Sequence, residues 1–354
     1  MATTILVIGN GFDKQCGLKS SFKDFYDSSF WLDKQRANPH SEWFFLLSDR
    51  SISCWFGLLE YIKSKSSLTD PAWYEVEEWI KNIVSNYLNE LEIEVRNKIE
   101  DRALYRNETI ENELLNGIRN FEKNFKNYLQ NELKLNEKDY SHNARKLLEN
   151  IWIGAEFSED NLYVLNFNYT EIKKYTYKQF KSFPLPKKKT IDAGDGSFYF
   201  ASMIENNVHG TLGYEIIIGI DDKNANSSNN INNEKNYTFD IFKFTKTYRK
   251  MVRRSWENKI YGNLLPSKNE LKQIVFYDHS LGEQDHSYFQ SLFDFYDIYN
   301  SNIILKFCFG FHHEIFKQVY NLIHKYGESF SNKAHGYNLL HKLLLEERLR
   351  LIVV

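Results

Sequence analysis

Four short clusters of glycine, amide, histidine and acidic residues carry the chemistry in this sequence. Each follows an apolar run. The first is Gly9-Asn10-Gly11-Phe12-Asp13, behind Thr3 to Ile8. Its two glycines allow a tight turn and close approach of backbone N–H groups, up to that of Phe12, to a phosphate. The third glycine of the dinucleotide fingerprint is absent, so the pair also fits an ordinary βα turn. The second cluster is Asn166-Phe167-Asn168-Tyr169-Thr170, after Leu162 to Leu165. Asn166 and Asn168 can hydrogen-bond a ribose or orient a water, or they can cap the helix that follows. The third is Val208-His209-Gly210, where a strand-end histidine can serve as general base or ribose contact. Nearby Gly219-Ile220-Asp221-Asp222 adds carboxylates after another apolar run.

The fourth cluster is Asp278-His279-Ser280-Leu281-Gly282, with Glu283 and Asp285 behind it. It reads as a sugar- or phosphate-binding turn, or as the nucleophile elbow of a serine hydrolase. The elbow needs glycine where Asp278 stands, and its partners would come from later residues such as Asp294 and His312. Asp13, Asp221, Asp222 and Asp285 could bind a divalent ion if they converge, as in a nuclease, but no spacing demands it. His312-His313-Glu314 lacks zincin spacing and reads as a helix N-terminal cluster, so no metal is predicted.

Ligands of open α/β sheets bind outside the carboxyl ends of the strands, which is where these clusters fall. Thr3–Ile8, Leu162–Leu165, Ile216–Gly219, Ile274–Tyr277 and Ile303–Phe307 are the predicted strands. Helical patterns lie at Ser20–Phe30, Ser287–Tyr299 and Glu314–Tyr326. Between the first helix and the second strand, two apolar stripes recur at helical spacing, from Trp73 to Leu91 and from Leu114 to Leu129. The predicted fold is α/β, a Rossmann-type parallel sheet with a large helical insertion after the first strand and helix. Residues 1–30 and 150–330 make a discontinuous core and 31–149 the insertion. Residues 331–354 make a helical tail, whose Leu-rich face serves packing or oligomer contact. Lys223–Lys235 reads as a loop.

Composition narrows the function classes. Lys+Arg 45 against Asp+Glu 47 gives a net charge of -2, which argues against a protein whose affinity rests on a basic phosphate-binding face. Nucleic acid is not excluded, because a local patch would suffice. Three distant cysteines, Cys16, Cys54 and Cys308, rule out a Cys-only four-ligand zinc site and a disulfide framework. No stretch reaches the ~18 apolar residues of a membrane span, and the N-terminus reads as a strand rather than a signal peptide. The expectation is a cytoplasmic protein with no membrane partner.

In order along the chain, the motifs resemble the abortive-infection protein AbiH family. Those that carry the resemblance are Gly9-Asn10-Gly11-Phe12-Asp13, Gly17-Leu18, Ser21-Phe22-Lys23-Asp24-Phe25 and Trp73-x-x-x-Glu77. Asn166-Phe167-Asn168-Tyr169-Thr170, Val208-His209-Gly210, Gly219-Ile220-Asp221, Phe244-Thr245-Lys246-Thr247 and His279-Ser280-Leu281-Gly282-Glu283-x-Asp285 continue it. The resemblance implies an antiphage protein acting by abortive infection. A more distant resemblance is to sirtuin-like NAD-binding domains. It implies a sirtuin-like sheet with NAD or a related nucleotide as substrate or ligand, the diphosphate on Gly9 to Phe12. On that match Asn168 stands at the NAD-orienting position, His209 at the catalytic histidine, and Ser280 and Leu281 at the later turn that meets the ribose. Asn10, Asn166, His279 and the carboxylates Asp13, Asp221 and Asp285 complete the expected binding set. Thr170 and Asp278 depart from the sirtuin pattern, which has aspartate and glycine there, and the paired Cys-x-x-Cys zinc module is missing. NAD hydrolysis therefore fits better than deacetylation. The alternative is a non-catalytic nucleotide sensor that relays a phage trigger to a partner, or to a homo-oligomer built through the insertion or the tail.

Overall fold

The computed structural model describes residues 3–31, 55–56, 59, 76–82, 84, 107–157, 161–176, 202–221, 240–257, 265–310 and 315–354. Along the chain come β1 (Thr3–Ile8), α1 (Asn10–Gln15), α2 (Phe22–Asp27), α3 (Val76–Asn82), α4 (Asn107–Gly154), β2 (Asn161–Asn166), α5 (Ile172–Thr176) and β3 (Ser202–Asn207). Then follow α6 (Lys246–Glu257), β4 (Leu271–Tyr277), α7 (His286–Phe295), β5 (Ile304–Phe309), α8 (Ile315–Glu328), α9 (Lys333–Leu345) and β6 (Leu349–Val353).

All six strands join one parallel sheet in the order β3-β2-β1-β4-β5-β6. β1 lies at its centre with every residue buried, as its unbroken β-branched and apolar run requires. The order reverses between β1 and β4, and that reversal opens a crevice at their carboxyl ends. The sheet is the Rossmann-like arrangement expected from the sequence. One face carries a continuous apolar core, in which Ile5, Ile274, Phe276 and Phe307 meet Phe289, Phe293, Val319 and Leu339 of α7, α8 and α9. On the other face, Asn143 of α4 donates to the Cys16 carbonyl (3.3 Å), and Lys306 of β5 donates to the Ala155 carbonyl (2.5 Å).

The chain divides into two compact units. The first is Met1–Lys19, Glu132–Leu212 and Ile260–Val354, and it holds the whole sheet; the second is Ser20–Asn131 and Gly213–Lys259. α4 contributes to both and leaves helical geometry at Asn136 (φ -117°, ψ 15°). There the Asn136 side chain donates to the Glu132 carbonyl (2.9 Å), competing with the helical ladder.

Three local expectations change. Ile216–Gly219 is not a strand. Its buried N–H groups go to acids of the second unit, Ile218 to Glu122 (2.6 Å) and Gly219 to Glu77 (3.5 Å), and Ile216 and Ile220 make only isolated bridges, that of Ile220 with Thr245. β3 appears where the polar run Ser202–Asn207 gave no apolar signal, because an edge strand needs little. The tail is helical only to Leu345. Glu347 adopts a left-handed φ of 54°, and the chain then enters β6. Lys223–Lys235, Trp73, Ile83 and 85–91 lie outside the described residues.

Candidate functional site

The site is built at the switch point of the first unit. Gly9 ends β1, and a Cβ there would sit 2.9 Å from both the His279 Cα and its ring Cδ2. Only glycine lets the two turns close this far. Two residues later the same holds more strongly, since a Cβ on Gly11 would lie 2.1 Å from Asp278 Oδ2. The Asp278 carboxylate thus rests on Gly11, in the place where the sirtuin-like pattern puts a diphosphate. Asp278 and Leu281 both adopt left-handed φ (41° and 50°), so the turn after β4 is bent at two non-glycine residues.

That bend folds the turn around His279. The Leu281 N–H donates to His279 Nδ1 (2.9 Å), and His286 Nε2 donates to the Leu281 carbonyl (3.0 Å). With Nδ1 accepting, neutral His279 carries its proton on Nε2. That nitrogen faces Asp285 Oδ2 at 3.7 Å, while Asp285 Oδ1 lies 3.2 Å from His209 Nε2. One carboxylate therefore stands between two buried imidazoles; His209 is 5% exposed. The Phe167 ring meets both edge-on, at 4.7 Å from His279 and 5.4 Å from His209. Tyr288 closes the far side of His209 at 5.7 Å.

The asparagines serve this geometry. Asn166 is fully buried, with both ends of its amide engaged. Its nitrogen donates to the Thr170 carbonyl (2.6 Å) and to Glu205 Oε1 (2.7 Å), and its oxygen accepts from the Asn168 N–H (2.8 Å). Asn168 Nδ2 donates to the Gly9 carbonyl (2.9 Å), which ties the turn after β2 to the turn after β1. Glu205 also accepts from the Ile172 and Lys173 N–H groups (2.9 and 2.8 Å), and burial pushes its carboxyl up to about 7.

Asp13 is 2% exposed, with its carboxylate engaged by other side chains. It is buried against Tyr140, which donates at 2.7 Å, and Thr170 Oγ1 at 2.8 Å. Burial raises its pKa to about 6, and the two hydroxyls restrain the rise. Thr170, which departs from the sirtuin pattern, is thus the hydroxyl donor to this acid, and an aspartate there would set carboxyl against carboxyl.

Asn10 and Ser280 are exposed beside the two turns, and Phe12 is fully buried under β1 and β4, edge-on to Tyr277 at 6.1 Å. Leu281 is buried in the core, so it reaches a ligand only through its backbone. The serine-hydrolase geometry is not supported, since the left-handed residues are Asp278 and Leu281 rather than Ser280, and Asp294 hydrogen-bonds Tyr326. Asp221 belongs to the second unit, where it is buried. Asp222, His312, His313 and Glu314 lie outside the described residues. Among the described residues, no group of three His, Cys, Asp or Glu side chains is arranged to hold a metal ion. No helix among them is long and apolar enough to cross a membrane. Sequence reasoning missed the roles of Phe167, Tyr288 and Tyr140. Phe167, set between the two strand-end asparagines, carried the only local signal.

In the second unit, further motif residues meet one another. Lys246 Nζ pairs with Glu77 Oε2 at 2.8 Å, and a Cβ on Gly219 would lie 2.6 Å from the Phe244 carbonyl. Arg249 holds buried Glu122 through both nitrogens (2.6 and 2.8 Å). Burial raises the Glu122 carboxyl and Arg249 opposes the rise.

An all-parallel sheet in this order, with polar turns at its switch point, defines a doubly wound, Rossmann-like α/β protein. A family model described as bacteriophage abortive infection AbiH matches residues 5–307. The chain belongs to the AbiH family, as its motifs suggested. No curated protein and no solved structure matches it.

Proposed function

We propose that this abortive-infection protein binds NAD or a related nucleotide at the switch point and hydrolyses its N-glycosidic bond. The observation that carries the reading is the His209–Asp285 pair, 3.2 Å apart and held beside the β1 turn. Asp285 orients the imidazole through Nε2, and in this reading the ring takes a proton from water through Nδ1. Water adds to the ribose anomeric carbon as the bond to nicotinamide breaks. Nicotinamide leaves with the bonding electron pair, and the proton passes to His209. The products are ADP-ribose, nicotinamide and a proton. In this reading the Asp285 carboxylate, 3.2 Å from His209 Nε2, steadies positive charge on the imidazole and on the sugar. Asn168 acts by fixing the Gly9 carbonyl and with it the floor of the crevice. This reading has the reaction take place in the cytoplasm.

The test is release of nicotinamide from NAD by purified protein, with and without phage lysate. The expected result is release that falls about 100-fold or more in His209→Ala and in Asp285→Asn, with unchanged circular dichroism. No release under either condition, or full release by a folded His209→Ala variant, sinks the assignment.

The Asp278 carboxylate favours a second reading. An anionic ligand must displace it from Gly11, so binding would move the turn after β4 and signal without chemistry. Saturable nucleotide binding with no product, together with a shift in the environment of Tyr288, distinguishes this sensor from the hydrolase.

A further inference from the structure

β6 ends the sheet, and among the described residues nothing pairs with its outer edge. The ladder fixes what that edge presents. The Leu305 N–H donates to the Arg348 carbonyl (2.7 Å) and the Val354 N–H to the Phe309 carbonyl (3.1 Å). In the parallel register that sets Leu305 beside Leu349 and Phe309 beside Val353, Arg350 and Ile352 spend their backbone groups on β5. Leu349, Leu351 and Val353 therefore turn their N–H and C=O groups outward. Their side chains share one face. On it Leu351 is 38% and Val353 54% exposed, and Leu345, at the end of α9, is 86% exposed. Phe316 of α8, also exposed, extends this apolar strip by packing on Phe309 at 5.8 Å. Natural sheets cover or charge such an edge; this one carries a single charged residue, Arg350.

We propose that a second copy of this chain pairs with β6, antiparallel across a two-fold axis centred on Leu351, to make one continuous sheet. Residues opposed across an antiparallel pair lie on the same face, so the axis must pass through a residue and not between two. Centring on Arg350 sets two guanidinium groups directly opposite, which is unfavourable. Centring on Ile352 pairs only Leu351 and Val353. Centring on Leu351 pairs all three outward residues, Leu349 with Val353 of the second copy and Leu351 with its own equivalent. Arg350 then falls opposite Ile352 of the second copy.

The test is light scattering after size exclusion at micromolar protein, with three variants. The expected result is a mass twice the 42.2 kDa of the chain. Leu351→Pro removes only an outward N–H, so it yields monomer with unchanged circular dichroism. Leu351→Cys cross-links between copies under mild oxidation, because opposed residues in such a pair have Cα atoms about 5.5 Å apart, within disulfide reach. Ile352→Cys stays uncross-linked, and wild type under the same oxidant gives the background. A monomeric wild type overturns the proposal. So does a dimer that survives Leu351→Pro and gives no cross-link through Leu351→Cys. Cross-linking through Ile352→Cys instead overturns the register.

Discussion

Asp13 is an acid placed to be costly. Its folded pKa is about 6 against an ordinary 3.8. Below the ordinary value both folded and unfolded chains hold the proton, and no penalty arises. Between pH 3.8 and about 6 the unfolded chain ionises first, so stability falls as pH rises, by on the order of 3 kcal/mol for Asp13 alone. Glu205 adds a loss of the same sign up to about pH 7. The expected outcome for Asp13→Asn is a flatter dependence of Tm on pH between about 4 and 6. An unchanged profile would show that Asp13 is not the titrating group. The sequence identified Asp13 as a member of its motif but not its burial. Its partners Thr170 and Tyr140 lie far along the chain, and no local pattern announces them. Asn166 and Asn168 were legible as strand-end amides, yet their hydrogen bonds go to Gly9, Thr170 and Glu205 in this structure.

At the scale of elements, the two switch-point turns fit by exclusion of a side chain. Gly11→Ala drives a methyl into the Asp278 carboxylate, an overpacking worth about 1–3 kcal/mol. Asp278→Gly removes that carboxylate and relieves the left-handed backbone. The cost of Gly11→Ala is therefore expected to shrink in the Asp278→Gly background, with a coupling of at least about 0.5 kcal/mol in urea unfolding. Additive costs would mean the two turns do not touch. Strands with apolar runs, β1, β2, β4 and β5, were legible because burial on both faces demands such runs. β3 and β6 escaped notice for opposite reasons. β3 is polar at an edge, and β6 reads as the last turn of a Leu-rich helix until Glu347 ends it. Ile216–Ile218 misled in turn, since burial alone makes a loop look like a strand.

At the scale of the molecule, the second unit depends on the buried pairs Glu77–Lys246 and Glu122–Arg249. Removing one partner takes the main ion-pair partner from a charge at low exposure, at a cost of up to about 3–5 kcal/mol. Glu77→Ala is expected to melt the second unit in a separate, earlier calorimetric transition, and adding Lys246→Met restores part of the loss. A single transition at the wild-type temperature would count against these pairs as its supports.

The central strand also sets when the protein can exist at all. Ile5 of β1 pairs with Tyr163 on one side and Ile274 on the other. A chain leaving the ribosome therefore carries its innermost strand unpaired on one side until β4 has been made. Such distant pairings fold slowly, because loop closure must be met before the sheet rewards it. His209 and Asp285 come together only after that step. A copy that ends before the turn after β4 lacks the site, so any activity there would stay silent until that turn has been made and the central strand is paired on both sides.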